Sequence, residues 1–393
     1  MTKFPDQFRF RKHDSIGAAD AESDNEFLID CFISTGDLET LEDCSFPTRV
    51  VVGRTGAGKS ALLSGLRNRQ EHVIELRPEV LALNYITNSQ VLRFFEKLGV
   101  ELDPFYRLLW RHVFTVELLR EKFGIINEEK KNEFLNWVAG TFQRDKGKQR
   151  ALRYLEEWGS LFWEETEYRT REFTAKLESD LKASIGSTGF GVDLSAGGAE
   201  KLTQEERQEV VQRAQYIVSQ VQIKDLHEMM RLLSEDIFDD PKQRFYITID
   251  RLDENWVDDN IRYKLLRALL ESIRAFQEIP YVKIIIALRN DLLDRVFRIT
   301  RDAGFQEEKY ESLFLKLRWS RKELREVLDV RIDKLIRRRY TTQRVHIEDI
   351  LPRAGRRDDP LEYILDRTGA LKNQVQHLWE KMLHGKTLRS VGY

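Results

Sequence analysis

The run Gly53-Arg54-Thr55-Gly56-Ala57-Gly58-Lys59-Ser60 most constrains what this chain can fold into, because it joins a β-branched run, Arg49 to Val52, to a helical pattern, Ser60 to Arg69. It has the spacing G-x-x-x-x-G-K-[ST] in the strand-loop-helix setting that the spacing requires. Glycines let the backbone turn its N–H groups inward around phosphate oxygens, and the start of the following helix adds partial positive charge. Lys59 is then placed for the β- and γ-phosphates and Ser60 for Mg²⁺. Gly53, Thr55, Gly56, Ala57, Gly58, Lys59, Ser60 and Ala61 are the candidate binding residues, and ATP with Mg²⁺ is the expected ligand.

A second strand is predicted at Val73 to Leu76, and further apolar runs stand at Phe245 to Ile249 and Val282 to Leu288. Between the last two, Ile261, Leu265, Leu269 and Ile273 recur at helical spacing. Ser312 to Leu317 reads as a fifth strand. Ser320 and Glu323 then have capping-box spacing before Leu324, Val327, Leu328, Ile332 and Leu335, which share one helical face. Strands alternating with helices imply an α/β fold, a parallel sheet flanked by helices, with ligands at the carboxyl ends of the strands. The span from Leu76 to Phe245 far exceeds the dozen or so residues that a crossover needs.

The expected organisation is a lead-in segment over 1–47, with a helix from Glu26 to Ser34, and a nucleotide-binding core over 48–85 and 241–318. A mainly helical insert fills 86–240, and a helical region runs over 319–393. Insert helices are predicted near Val91 to Leu98, Tyr106 to Phe123, Glu133 to Phe142 and Glu205 to Val221. Within the insert, 184–198 is rich in Gly and Ser, and Phe190, Val192 and Leu194 alternate with small or polar residues, as a hairpin would.

Mg²⁺ needs an acid at the end of a neighbouring strand, and Asp250 after Phe245 to Ile249 supplies it. Hydrolysis needs a group to activate water. The residue after Asp250 is Arg251, so that acid falls to Asp253, with Glu254 as the alternative. Arg289 and Asn290, at the end of the fourth strand, are candidate sensors of the γ-phosphate; Asn290 or Asp291 equally suits a helix start.

These residues resemble the STAND-like and KAP-like bacterial P-loop ATPases, relatives of the AAA+ proteins that carry an additional strand between the Walker A and Walker B strands. The resemblance rests on Gly53 to Ser60, on Ile249-Asp250-Arg251-Leu252-Asp253-Glu254 with Trp256, on Leu288-Arg289-Asn290-Asp291, and on Leu317-Arg318-Trp319-Ser320. Ile16-Gly17-Ala18-Ala19-Asp20-Ala21-Glu22 resembles the lead-in of some members. It implies an ATP-driven switch or regulatory ATPase that works by assembly with copies of itself or an effector, often in phage-defence or signalling operons. Such proteins commonly carry an acid immediately after the Walker B aspartate, so Arg251 implies slow turnover.

With 64 Lys plus Arg against 66 Asp plus Glu, the net charge of −2 gives no global drive toward nucleic acid or anionic membranes. Nucleic-acid contact would have to be local, and Arg337 to Arg357 is the most basic stretch, though Asp329, Asp333, Glu348 and Asp349 dilute it. Arg295, Arg298 and Arg301 could serve a neighbouring subunit as fingers. Cys31 and Cys44, the only cysteines, read as buried thiols. No run of about 18 apolar residues or signal-like segment is present, so a cytoplasmic protein without membrane contact is expected. Two other functions compete, a DNA-linked motor or clamp and a small-substrate phosphotransferase, for which no acceptor motif is seen.

Overall fold

The structure, a computed structural model, describes residues 16–17, 24–81, 89–141, 149, 175–176, 178–183, 186, 198–223, 225–254, 256–257, 259–299, 307–319, 321–340, 342 and 344. It is α/β, with a five-stranded parallel sheet flanked by helices. The strands are β1 (Val50–Gly53), β2 (His72–Leu76), β3 (Phe245–Ile249), β4 (Val282–Arg289) and β5 (Phe314–Lys316), in the spatial order β2-β3-β4-β1-β5. β4 therefore lies between the strand that leads into the glycine loop and the strand that ends at Asp250. Register is in step from end to end: His72 faces Phe245 and Leu76 faces Ile249, while Phe245 faces Val282 and Ile249 faces Ile286.

Central strands covered on both faces read as unbroken apolar runs, and every residue of β3 is buried, as are the first seven of β4. That is why these two strands begin where the sequence predicts. β5 is shorter than expected, because Glu307–Leu313 winds as a 3-10 helix up to its first residue.

Two compact units compose the described residues, one drawn from Met1–Asp43, Val51–Arg69 and Phe314–Tyr393, the other from Cys44–Val50 and Gln70–Leu313. In the first, α1 (Asn25–Asp30) stops short of the expected Ser34. There Ser34 donates to Glu39 at 2.7 Å and Thr35 to Asp37 at 2.6 Å, local bonds that compete with helix continuation. They lead into α2 (Asp37–Glu42), a helix the sequence reading did not foresee. α3 (Lys59–Arg69) buries Leu62, Leu63 and Leu66. The first unit also holds the helix Arg321–Arg339, whose Val327, Leu328, Ile332 and Leu335 are buried, as their spacing predicts, and whose Ile336 is buried as well.

In the second unit, α4 (Gln90–Leu98) is capped by Ser89, which accepts from Leu92 N–H, and closed by Gly99. α5 (Asp103–Phe123) has Pro104 in its first turn and Gly124 at its end. Although it falls in the span read as an insert, α5 packs along α9 (Asp259–Ala275) and touches β2 and β3. Trp110 Nε1 donates to the Leu265 carbonyl at 2.9 Å, and Arg107 pairs with Glu271 at 2.6 Å. Ile261, Leu265, Leu269 and Ile273 of α9 are all buried. The unit also contains α6 (Glu128–Thr141), α7 (Gln204–Ile223), α8 (Asp225–Leu232) and α10 (Asn290–Ile299). The final helix, α11, is Arg321–Arg339. The expected hairpin lies outside the described residues apart from its edges, where Gly186 is helical and Gly198 opens a 3-10 turn. The region beyond 344 also lies outside them.

Candidate phosphate loop and acidic strand end

The loop from Gly53 to Ser60 leaves the carboxyl end of β1 and enters α3 at Lys59. Gly56 and Gly58 have φ of 79° and 92°, a region that L side chains rarely adopt, so the glycine spacing is a backbone requirement here. Ala57 N–H donates back to the Arg54 carbonyl at 3.1 Å, and Leu62 N–H to Gly58 at 2.9 Å, which closes the first turn of α3. Lys59 Nζ donates to the carbonyls of Gly53 and Arg54, at 3.3 and 3.0 Å. Ser60 and Ala61 are half-buried, and Thr55 and Gly56 are exposed. The loop can therefore present a cation and a helix start to an anion, the donor set that phosphate requires.

Sequence reasoning missed a further contact. Trp319, after β5, donates from Nε1 to the Ala57 carbonyl at 2.8 Å, and its ring lies over Gly58. The tryptophan was legible only as part of a resemblance, since nothing in its own neighbourhood signals contact with a loop so far away in the chain.

Asp250 follows β3 directly and is half-buried. Its Oδ1 accepts the N–H of Arg251 at 2.8 Å, and Arg251 has φ of 58°, left-handed for a residue with a Cβ. A turn follows, in which Glu254 N–H donates to the Arg251 carbonyl at 3.0 Å. Beyond it Leu252, Trp256 and Val257 are buried, and Trp256 Nε1 donates to the Leu252 carbonyl at 2.9 Å. The apolar residues between the acids pin the loop, while Asp253 and Glu254 stay exposed.

Among the sequence-predicted residues of this unit, Asp253 and Arg289 come together at 3.5 Å, and Glu254 stands 3.8 Å from Arg251. Arg289 also makes two bonds to Asp291, Nε to Oδ1 at 2.9 Å and Nη2 to Oδ2 at 2.7 Å, which raise its pKa first through that hydrogen bonding. The Glu254 carboxyl sits above its usual range, through lost hydration first and through Glu79 and Asp253 after it, against the opposing charge of Arg251. Glu254 is exposed, so the shift carries no stability worth counting. Asn290 and Asp291 open α10, so the helix-start reading of these residues holds, and Arg289 alone ends the strand. Of the candidate fingers, Arg295 donates to Tyr263 Oη at 3.1 Å, Arg298 is exposed, and Arg301 lies outside the described residues.

Among the described residues no group of three or more His, Cys, Asp or Glu could hold a metal ion. Cys31 and Cys44 are buried and unbridged, as expected. No described helix is long and apolar enough to cross a membrane.

No family model matches the chain, and no solved structure matches it. It is 24% identical over 323 residues to a protein of Escherichia coli (strain K12) that is named for the transposon gamma-delta and its mass of 80.3 kDa. The match covers 78% of this chain and 38% of that protein, so the chain spans well under half of the relative's length.

Proposed function

We propose that the chain is a P-loop ATPase of the switch or regulatory kind, which binds Mg²⁺-ATP at Gly53 to Ser60 and works through assembly with copies of itself or an effector. The observation that carries this reading is the loop itself: Gly56 and Gly58 in left-handed backbone, between β1 and the first residue of α3. Lys59 would hold the β- and γ-phosphates, Ser60 and Asp250 the metal. The metal would neutralise charge on the phosphate oxygens; the protein's part is to hold donors in place beforehand.

Asp253 is the candidate base, with Glu254 the alternative, and each stands near an arginine, Asp253 at 3.5 Å from Arg289 and Glu254 at 3.8 Å from Arg251. Arg289 remains the candidate sensor, braced by Asp291. Regulation of an antiphage effector is one biological setting for such a switch. Identical oligomer size and protease pattern with and without nucleotide would remove the switch from the proposal.

A second reading, an ATPase coupled to DNA, gains support from the transposon name of the relative. It also draws on the exposed Arg337, Arg338 and Arg339 in the last turn of α11, although Arg337 already pairs with Asp333 at 2.9 Å. Steady-state ATP hydrolysis, compared with Lys59→Ala and with and without duplex DNA at two salt concentrations, separates the two. A rate abolished by the substitution and indifferent to DNA supports the regulatory ATPase. Stimulation that salt removes supports the DNA-coupled enzyme. Absence of nucleotide binding by the unaltered protein would end both.

A further inference from the structure

The contact between Trp319 and the glycine loop does more than fill space. Leu317 N–H donates to the Val52 carbonyl at 2.8 Å, which fixes β5 beside β1 and sets Trp319, two residues on, against the loop. Its indole Nε1 then reaches the Ala57 carbonyl at 2.8 Å. A Cβ at Gly58 would stand 3.5 Å from the ring's Cζ2, so the ring covers that side of the residue.

The Ala57–Gly58 peptide is trans, and in a planar trans peptide the C=O and the N–H point to opposite sides. An indole that holds the Ala57 carbonyl therefore turns the Gly58 N–H toward the side away from Trp319. Gly58 immediately precedes the first residue of α3, where backbone donors can meet an anion. Without the indole, rotation of this peptide turns ψ of Ala57 and φ of Gly58, and Gly58, whose φ is 92° here, takes either sign of φ at little cost.

We propose that Trp319 is a positioning residue for polyphosphate, its hydrogen bond to the Ala57 carbonyl presetting the Gly58 N–H to donate to a nucleotide's phosphate chain. This rests on the reading of Gly53 to Ser60 as a phosphate loop. The effect belongs to phosphate and not to the base, so inorganic tripolyphosphate with Mg²⁺ should be as sensitive to Trp319 as ATP is.

Calorimetric titration of Mg²⁺-tripolyphosphate and Mg²⁺-ATP into the full chain tests this, with Lys59→Ala, Trp319→Phe and Trp319→His beside the unaltered protein. Phe keeps a ring over Gly58 without the donor, and His keeps a ring N–H. Trp319→Phe is expected to weaken both ligands alike, about fivefold, the order of one hydrogen bond. Trp319→His should bind closer to the unaltered protein. If Phe binds both ligands as tightly as Trp, or if Phe and His lose equally, the positioning role is overturned. If Trp319→Phe does not fold, the His variant decides, since affinity within about twofold of the unaltered protein supports the donor and a fivefold loss overturns it. If the unaltered protein binds neither ligand, the phosphate-loop reading fails instead.

Discussion

Arg331 of α11 donates to the Asp24 carboxylate and to the Ile16 carbonyl, so a cation late in the chain and an anion near its start share one buried site. Gly17 sits between them with φ of 118°, and a Cβ there would come within 2.3 Å of Asp24 Oδ1 and 2.4 Å of Arg331 Nη1. Removing the carboxylate leaves the buried Arg331 cation with the neutral Ile16 carbonyl in place of an anion. Asp24→Ala is therefore expected to cost about 3–5 kcal/mol in denaturant unfolding. Replacing both, Asp24→Leu with Arg331→Met, should recover most of that loss. A double variant no more stable than Asp24→Ala would show that the bond to Ile16, and not the pair, holds the lead-in segment.

The Arg289 network predicts the opposite pattern. Arg289 is half-buried and Asp291 exposed, and their bonds lie at the surface, where ion pairs contribute about 0–1 kcal/mol. Arg289→Ala should thus leave the unfolding midpoint nearly unchanged while lowering ATP hydrolysis about 100-fold, as loss of a donor to developing charge does. Asp291→Asn keeps the shape and weakens the brace, and should reduce the rate less than Arg289→Ala. Hydrolysis by Arg289→Ala at the unaltered rate would leave the arginine as a clasp between Asp253 and Asp291 and nothing more.

β3 and β4 were legible because residues buried on both faces must be apolar throughout, and α9 because Ile261, Leu265, Leu269 and Ile273 keep one face inward. The glycine loop was legible because positive φ forces the residue type at Gly56 and Gly58. What stayed hidden depends on distant partners: Trp319 against Ala57, Arg331 against Asp24, Glu79 beside Glu254. No local period records such meetings. α2 escaped for a different reason, since it is a single short helix whose start depends on Gly36 in left-handed backbone and on the side-chain bonds of Ser34 and Thr35. The partner of α5 was equally hidden, because burial of most of its surface says that it is covered but not by which helix.

Arg251, with φ of 58°, holds a conformation that costs a residue with a Cβ about 1–2 kcal/mol relative to right-handed backbone. Glycine removes that cost but adds freedom to the unfolded chain, worth about 0.4–1 kcal/mol in the other direction. Arg251→Gly is accordingly expected to be neutral or stabilising by about 1 kcal/mol. Arg251→Val, branched at Cβ, should destabilise by more than that amount. Equal stability of the Gly and Val variants in urea unfolding would mean that the turn after Asp250 relaxes out of left-handed backbone once the arginine is gone.

The alkaline limb of stability has a defined origin in buried acids that keep their protons. Burial pushes the Cys31 and Cys44 thiols up and, beside Cys44, the Tyr246 phenol, with Tyr106 and Tyr310 raised by burial as well. A thiol ionises near pH 8.5 and a tyrosine near pH 10 in an unfolded chain, by the ordinary values of about 8.5 and about 10. Below that range both states hold these protons and stability is indifferent to pH. As pH rises through it, the unfolded chain loses protons that the folded chain retains, so unfolding is favoured by up to about 1.4 kcal/mol per pH unit for each group. Denaturant unfolding should show stability falling from about pH 8.5, more steeply above pH 10, where the tyrosines join the thiols. Cys44→Ala should flatten the first part and Tyr246→Phe the second, whatever each does to stability at neutral pH. Unchanged slopes in both variants would mean that these groups ionise in the folded protein as they do in water, against their burial.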